Sequence, residues 1–138
     1  MRKYKAFISY SHKDEKFSTW LHKELEKYKT PKELQVSYPQ ISNKLYPIFR
    51  DREELQTSSN LNQNIIEALH NSTYLIVICS INSAKSQWVN KEIIDFKKAH
   101  REKKVLSIIL DGEPNAKTKE NFNDELECFP EALKYEVC

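Results

Sequence analysis

Four short apolar runs, rich in β-branched and aromatic side chains, alternate along the chain with segments of helical periodicity. The runs predict strands over residues 4–9, 45–49, 74–79 and 105–110. Regular alternation of strands and helices produces a parallel sheet with helices on both faces, so the pattern predicts an α/β fold. The predicted helices are marked by Phe17, Leu21, Leu25 and Tyr28, with Asp14 as the acid at the start, by Leu61, Ile65, Ala68 and Leu69, and by residues 84–101.

The runs 74–79 and 105–110 do not alternate between polar and apolar residues, which predicts strands buried on both faces of the sheet. Segment 29–44, which contains two prolines, is predicted to be a long loop, and a weak edge strand is predicted over 135–137. A length of 138 residues fits a single domain. Because the chain stops at Cys138 inside a predicted strand, we expect one domain excised from a longer multidomain protein.

The composition excludes several kinds of nucleotide and nucleic-acid site. The chain contains one glycine, Gly112, whereas about 7% is usual. A Walker A loop or a GxGxxG turn needs more than one, so any nucleotide must bind without a glycine-rich loop. The net charge of +2 gives no indication of nucleic-acid binding. The densest basic run, 97–104, is predicted to be a solvated helix end.

Cysteines and histidines give no indication of a metal site. The three cysteines and four histidines lack the spacing of metal ligands, and the odd number of cysteines argues against a disulfide framework. Cys79 lies inside an apolar run and is predicted to be a core residue. No apolar stretch approaches the roughly 18 residues that a membrane-spanning helix needs. We therefore expect a cytoplasmic protein without a metal or a membrane contact.

Polar residues follow every predicted strand, at the edge where open α/β sheets bind ligands. The carboxyl ends of parallel strands meet at this edge, so the residues are candidates for one site. They are Ser9, Tyr10, Ser11 and His12 after the first strand, Arg50 and Asp51 after the second, Ser80 after the third and Asp111 after the fourth.

The helix after the third strand carries a more specific arrangement. Trp88, Glu92 and Phe96 are spaced i, i+4 and i+8 and therefore share one helical face. A carboxylate between aromatic side chains would be desolvated, which should raise its pKa and suit it to act as acid, base or charge stabiliser. The alternative, which periodicity alone favours, places Glu92 on the surface, paired with Lys91 or Lys85, and makes Trp88 an ordinary core residue.

Four segments in order resemble the Toll/interleukin-1 receptor (TIR) domain family. Residues 7–11 (FISYS) resemble box 1, residues 49–55 (FRDREEL) resemble the start of the BB loop, and residues 75–80 (LIVICS) resemble the third strand. Residues 86–92 (SQWVNKE) are similar to the helical segment that carries the glutamate of NAD-cleaving members. The match extends over about residues 3–113, and the sequence resembles bacterial members of the family.

The resemblance implies a flavodoxin-like three-layer α/β fold with a parallel five-stranded sheet. It also implies one of two activities. Many bacterial and plant members cleave NAD+ at the nicotinamide–ribose bond, whereas animal receptor and adaptor members only assemble with one another. The glutamate in the third helix distinguishes the two groups, and Glu92, with Trp88 one turn before it, fits the enzymes.

The resemblance also implies a role for each candidate residue. Glu92 would be the catalytic carboxylate that faces the ribose, and Trp88 would form a wall beside it. NAD+ would be the substrate, with no separate cofactor and no metal. The other residues that would bind the substrate, on the first-strand side and on the BB-loop side, are Ser9, Tyr10, Ser11, His12, Arg50, Asp51 and Leu61.

The expected BB loop departs from the family. Residues 56–59 read QTSS, where many members have a glycine that can adopt a positive φ. We therefore expect a stiffer or differently shaped loop. The sequence also does not identify the group that attacks the ribose, so hydrolysis, cyclisation and base exchange are alternatives.

The resemblance favours an NAD+ glycohydrolase that is activated by homotypic assembly. We expect a role in bacterial immunity or signalling, including antiviral defence, with an attached sensor or effector domain in the full-length protein. The alternative is a non-catalytic interaction module, either a scaffold or an effector that mimics host TIR domains.

Overall fold

The computed structural model describes residues 4–29, 31–37, 47–50, 63–100, 104–116 and 124–134. Four strands in these ranges form one parallel sheet: β1 Tyr4–Ser9, β2 Ile48–Arg50, β3 Ser72–Cys79 and β4 Val105–Ile109. The helices are α1 Glu15–Lys27, α2 Lys32–Ser37, α3 Gln63–His70, α4 Ile81–Ala84 and α5 Gln87–Ala99.

The described strands have the order β2-β1-β3-β4. This order matches a flavodoxin-like sheet, in which the chain crosses from one side of the first strand to the other and opens a crevice at its carboxyl end. The expected parallel α/β fold is therefore confirmed with four strands. The fifth predicted strand, 135–137, lies outside the described residues.

Helices cover both faces of the sheet, as predicted. On one face, here called the α5 face, helices α3 and α5 pack on apolar residues of β1 and β3 that include Phe7, Leu75 and Val77. On the opposite face, here called the α1 face, helix α1 packs on the alternate residues of β1, Ala6 and Ile8. Successive residues of a strand therefore belong to different faces.

Residues 75–79 of β3 are buried on both faces, as predicted, although Tyr74 at the start of the predicted run is exposed. The same prediction for β4 is wrong. Leu106 and Ile109 are 48% and 52% exposed. Within the described part of the chain β4 pairs only with β3 and forms an edge of the sheet. An unbroken apolar run does not distinguish a strand covered on both faces from an edge strand that keeps apolar side chains exposed.

Two helix boundaries differ from the sequence prediction. The helix predicted over 84–101 begins at Gln87, because Ser86 caps α5 through the backbone N–H of Val89. Ala84 belongs to the separate short helix α4, which Ser80 caps through the backbone N–H of Ser83. The segment 29–44, predicted to be a loop, contains α2, which begins directly after Pro31. Proline favours the start of a helix because it lacks the N–H that would stay unpaired there.

The expectation of a solvated basic run over 97–104 is wrong for Lys97. Its side chain is buried, and Nζ donates a 2.6 Å hydrogen bond to the carbonyl oxygen of Ala132. The Ala132 N–H in turn donates to Asn90 Oδ1 at 2.7 Å. Lys97 therefore attaches the segment 131–134 to α5.

The glycine occupies a position that requires it. Gly112 has a φ of +83°, and a Cβ there would lie 2.6 Å from the carbonyl oxygen of Leu126 and 2.8 Å from Cys128 Cβ. Both the dihedral and the close approach exclude a side chain. Gly112 thus lets the chain after β4 pack against residues 126–128.

Candidate functional site

Glu92 is buried in the interface between α5 and the carboxyl end of β1. It is 2% exposed, and Ser9, the last residue of β1, is fully buried. Ser9 Oγ donates a 2.7 Å hydrogen bond to Glu92 Oε1. The alternative of a surface carboxylate paired with lysines is therefore wrong, and two of the sequence candidates are in direct contact.

Glu92 is flanked along α5 by residues of the apolar core. Val89, Ile93 and Phe96, on the same helix, have no exposed surface and belong to the core cluster that also contains Phe7. A carboxylate in such a place is costly to bury unless hydrogen bonds compensate it, and a positive charge near it is strongly attracted because the local dielectric is low. The arrangement is thus suited to stabilise a cation.

Trp88 lies one turn before Glu92 on α5 and is 8% exposed. It belongs to the same core cluster, as the alternative of a core residue expects, and its role as a wall beside the substrate stays a prediction. Its Nε1–H is buried and has no hydrogen-bond acceptor within the described ranges.

Tyr10 and Arg50 lie on the α1 face, opposite Glu92. The Arg50 Nη1 donates to Ser18 Oγ at 3.2 Å and to Thr19 Oγ1, both on α1. The Arg50 Cζ atom lies 5.8 Å from the centre of the Tyr10 ring. The structure therefore separates these two candidates from Ser9 and Glu92, because consecutive residues at a strand end point to opposite faces.

Ser11 and His12 belong to the turn between β1 and α1. Ser11 is buried, and its Oγ accepts a 3.3 Å hydrogen bond from the backbone N–H of Lys13. His12 is exposed and lines an open groove of about 540 Å³, together with Phe17 and Leu110. The two remaining candidates, Asp51 and Leu61, lie outside the described residues.

Asp14 has a role that periodicity did not indicate. Its carboxylate is buried and accepts hydrogen bonds from Ser80 Oγ and, at 3.1 Å, from Asn82 Nδ2. It makes no side-chain capping bond to α1. Asp14 thus fixes the turn after β1 to the end of β3, and Asp111 does the same for β4 by accepting the N–H of Ile81 at 2.8 Å.

The described residues contain no thiol suited to nucleophilic catalysis and no group of three or more metal-binding side chains. Burial, with a smaller contribution from the neighbouring Cys128, raises the pKa of the Cys79 thiol to about 12. Burial also raises the pKa of Cys128. Both cysteines are free and buried, which confirms the prediction that Cys79 is a core residue. No helix in the described ranges is long and apolar enough to cross a membrane.

Comparison with known proteins identifies similar chains. A family model described as TIR domain matches residues 6–130, a range that includes Ser9, Trp88 and Glu92. The curated protein NAD(+) hydrolase ApTIR of Actinoplanes sp. (strain ATCC 31044 / CBS 674.73 / SE50/110) is 29% identical over 116 residues. That alignment covers 80% of this chain but 14% of the relative, so the chain spans about one seventh of the relative's length.

A solved structure shares the fold. It is described as the activated Roq1 resistosome directly recognizing the pathogen effector XopQ (TIR domains), and it superposes with a TM-score of 0.51. Its sequence is 18% identical, and the match covers 90% of this chain and 66% of that chain. At this identity the likeness concerns the fold alone.

Proposed function

The chain belongs to the TIR domain family, and we propose that it cleaves NAD+ at the bond between nicotinamide and ribose. The products would be nicotinamide and ADP-ribose or its cyclic variant. The observation that carries the proposal is the carboxylate of Glu92, which is buried, flanked along α5 by residues of the apolar core and hydrogen-bonded to Ser9 at the carboxyl end of β1. The relative named NAD(+) hydrolase ApTIR supports the same substrate.

The chemistry of the bond matches the residue type. Departure of nicotinamide leaves an oxocarbenium-like ribose, and a nearby carboxylate stabilises that cation or forms a transient adduct with it. Glu92 would take this role, with Trp88 as the wall of the pocket one helical turn away. The neutral nicotinamide needs no general acid to leave, so one carboxylate is sufficient for the cleavage step.

The other candidate residues divide by position. Ser11 and His12, on the turn after β1, would contact the diphosphate and nicotinamide side of the substrate. Tyr10 and Arg50 lie on the α1 face, which favours an indirect role in holding the start of the segment that follows β2. Asp51 and Leu61 would belong to the BB-loop side. In this proposal NAD+ is the substrate, and no cofactor or metal takes part.

A second candidate function is homotypic assembly. It would either activate the enzyme or be the function of a domain that does not catalyse a reaction. The fold match to TIR domains of a resistosome favours assembly. Exposed apolar side chains on β4, Leu106 and Ile109, are available for contacts between copies. In the cell, the full-length protein would carry a further domain and act in cytoplasmic bacterial signalling or antiviral defence.

The test is NAD+ consumption by the wild-type protein and by Glu92→Ala at high protein concentration, where assembly is favoured. Chromatography of the products separates hydrolysis, cyclisation and base exchange. The proposal predicts nicotinamide release by the wild type and none by the variant. Equal NAD+ loss in both, or none in the wild type even when copies are forced to cluster through a fused oligomerisation domain, contradicts it. In the second case the non-catalytic module is the better account.

A further inference from the structure

Ser9 donates its hydroxyl proton to Glu92 and not to solvent or to a pocket. A serine hydroxyl carries one donor, and in Ser9 that donor is directed to Glu92 Oε1 at 2.7 Å. A phosphodiester offers acceptors only, so a diphosphate would have to compete with Glu92 for this proton. The contact therefore argues against a direct diphosphate contact by Ser9.

The position of Ser9 makes it a rigid point of attachment. β1 pairs with β2 on one side and β3 on the other, and Ser9 is itself paired with Val77. Ser9 and Val77 have no exposed surface. The hydroxyl oxygen is thus held by the centre of the sheet, while Glu92 approaches from a helix across the interface.

A glutamate needs such an attachment because its side chain has three rotatable torsions between the helix backbone and the carboxylate. Stabilising a developing cation requires the carboxylate oxygen within a narrow range of distance and direction, and a displacement of about 1 Å costs on the order of 100-fold in rate. A hydrogen bond to one oxygen fixes the orientation of the other.

We propose that Ser9 is a positioning residue, which orients the Glu92 carboxylate toward the ribose by the hydrogen bond from Oγ to Oε1. This inference rests on the proposed NAD+ cleavage and adds to it a residue that acts through Glu92 rather than on the substrate. The alternative is a purely structural role, in which Glu92 accepts the hydrogen bond that the buried Ser9 hydroxyl needs at the end of β1.

The kinetic test compares Ser9→Ala with Ser9→Thr and with a matched control, Ser72→Ala. Ser72 is also a fully buried serine, and it is the first residue of β3, at the edge of the sheet opposite to Ser9. Its Oγ donates to the carbonyl oxygen of Ala68 at 2.6 Å. The inference predicts that Ser9→Ala lowers kcat by about 10- to 100-fold with KM within about twofold, whereas Ser72→Ala leaves kcat near wild type. Ser9→Thr keeps a hydroxyl on a β-branched residue suited to a strand and restores most of kcat.

The outcomes separate the two roles of Ser9. An increase in KM with kcat retained in Ser9→Ala identifies a substrate contact and overturns the inference. Equal loss of kcat in Ser9→Ala and Ser72→Ala identifies a structural role and overturns it as well.

A second measurement does not require turnover. In protein labelled with ¹³C at glutamate carboxyls, the Glu92 resonance is assigned by its absence from Glu92→Gln. The inference predicts that this resonance moves in Ser9→Ala and stays in place in Ser72→Ala at the same pH. An unmoved resonance overturns the role of Ser9 alone, whereas a wild type that does not cleave NAD+ overturns the proposed function and, with it, any positioning role.

Discussion

Glu92 and Arg50, two charged candidates for one pocket, lie on opposite faces of the sheet. Glu92 contacts Ser9 from the α5 face, and Arg50 contacts Ser18 on the α1 face. Ser9 ends β1, and the Cα partner of Arg50 in that strand is Ile8, one residue earlier. One residue along a strand reverses the face, so Glu92 and Arg50 depend on different helices.

Arg50 is therefore predicted to contribute to stability. Arg50→Met keeps the apolar stem but removes the donors to Ser18 and Thr19, which should lower the free energy of unfolding by about 1–3 kcal/mol. Urea denaturation followed by tryptophan fluorescence measures the change. Lys32→Met, which removes an exposed cation from α2, is the control and should change stability by less than about 0.5 kcal/mol. Similar midpoints for the two variants would show that Arg50 is not an anchor.

Glu127 is predicted to make stability depend on acid pH. Burial disfavours its charged form, but hydrogen bonds from Lys134 and from the N–H groups of Phe129 and Asn115 outweigh burial and lower its pKa below the usual value. A carboxyl whose pKa is lowered by folding stabilises the native state above its unfolded pKa and loses that contribution as the pH falls through the folded pKa. Stability should therefore decrease as the pH falls below about 4.5.

Glu127→Gln tests this assignment by removing the titrating group. At pH 7 the variant should be less stable by about 2 kcal/mol, because the charge-assisted bond to Lys134 is lost. The stability difference between wild type and variant should then shrink as the pH falls. Urea midpoints measured at intervals from pH 7 to pH 3 give both curves, and parallel curves would assign the acid sensitivity to other groups.

Gly112 is predicted to tolerate no side chain. Gly112→Ala places a Cβ 2.6 Å from a backbone oxygen at a φ of +83°. The substitution should therefore lower the free energy of unfolding by about 1–3 kcal/mol. Asn115→Gly is the matched control, because Asn115 also has a positive φ, of 60°, and glycine adopts it without strain. Thermal unfolding compares the two, and a Gly112→Ala protein as stable as the control would contradict the close approach.

The sequence predicted the parts of the fold that depend on local patterns. β1 was predicted at the observed bounds and β3 within two residues, because apolar β-branched runs are visible in any short window. The burial of Lys97 was missed because its partner, Ala132, is 35 residues away. Its charged neighbours make the run look solvated, since no local pattern reports a distant carbonyl group.

The candidate site was harder to predict than the fold, because it depends on contacts between residues that are distant in the sequence. Periodicity placed Trp88 and Glu92 on one helical face but favoured a surface glutamate. The 83-residue separation of Ser9 and Glu92 carries no periodic signal. Only the resemblance to a family put both in one pocket. Arg50 was grouped with Ser9 by the strand-end argument and by the resemblance, because neither records the face of the sheet that each residue occupies.

The central claim is that Glu92 is the catalytic carboxylate, and the most direct measurement is the rate of nicotinamide release from NAD+ by Glu92→Gln. This variant keeps the size of the side chain and an acceptor for Ser9 but removes the negative charge. The matched control is Glu67→Gln, the same substitution at an exposed position on α3. Wild type and control should cleave NAD+ at similar rates, and Glu92→Gln should be slower by at least about 100-fold, with an unchanged thermal midpoint as evidence of folding. A folded Glu92→Gln protein that releases nicotinamide as fast as the control would contradict the account.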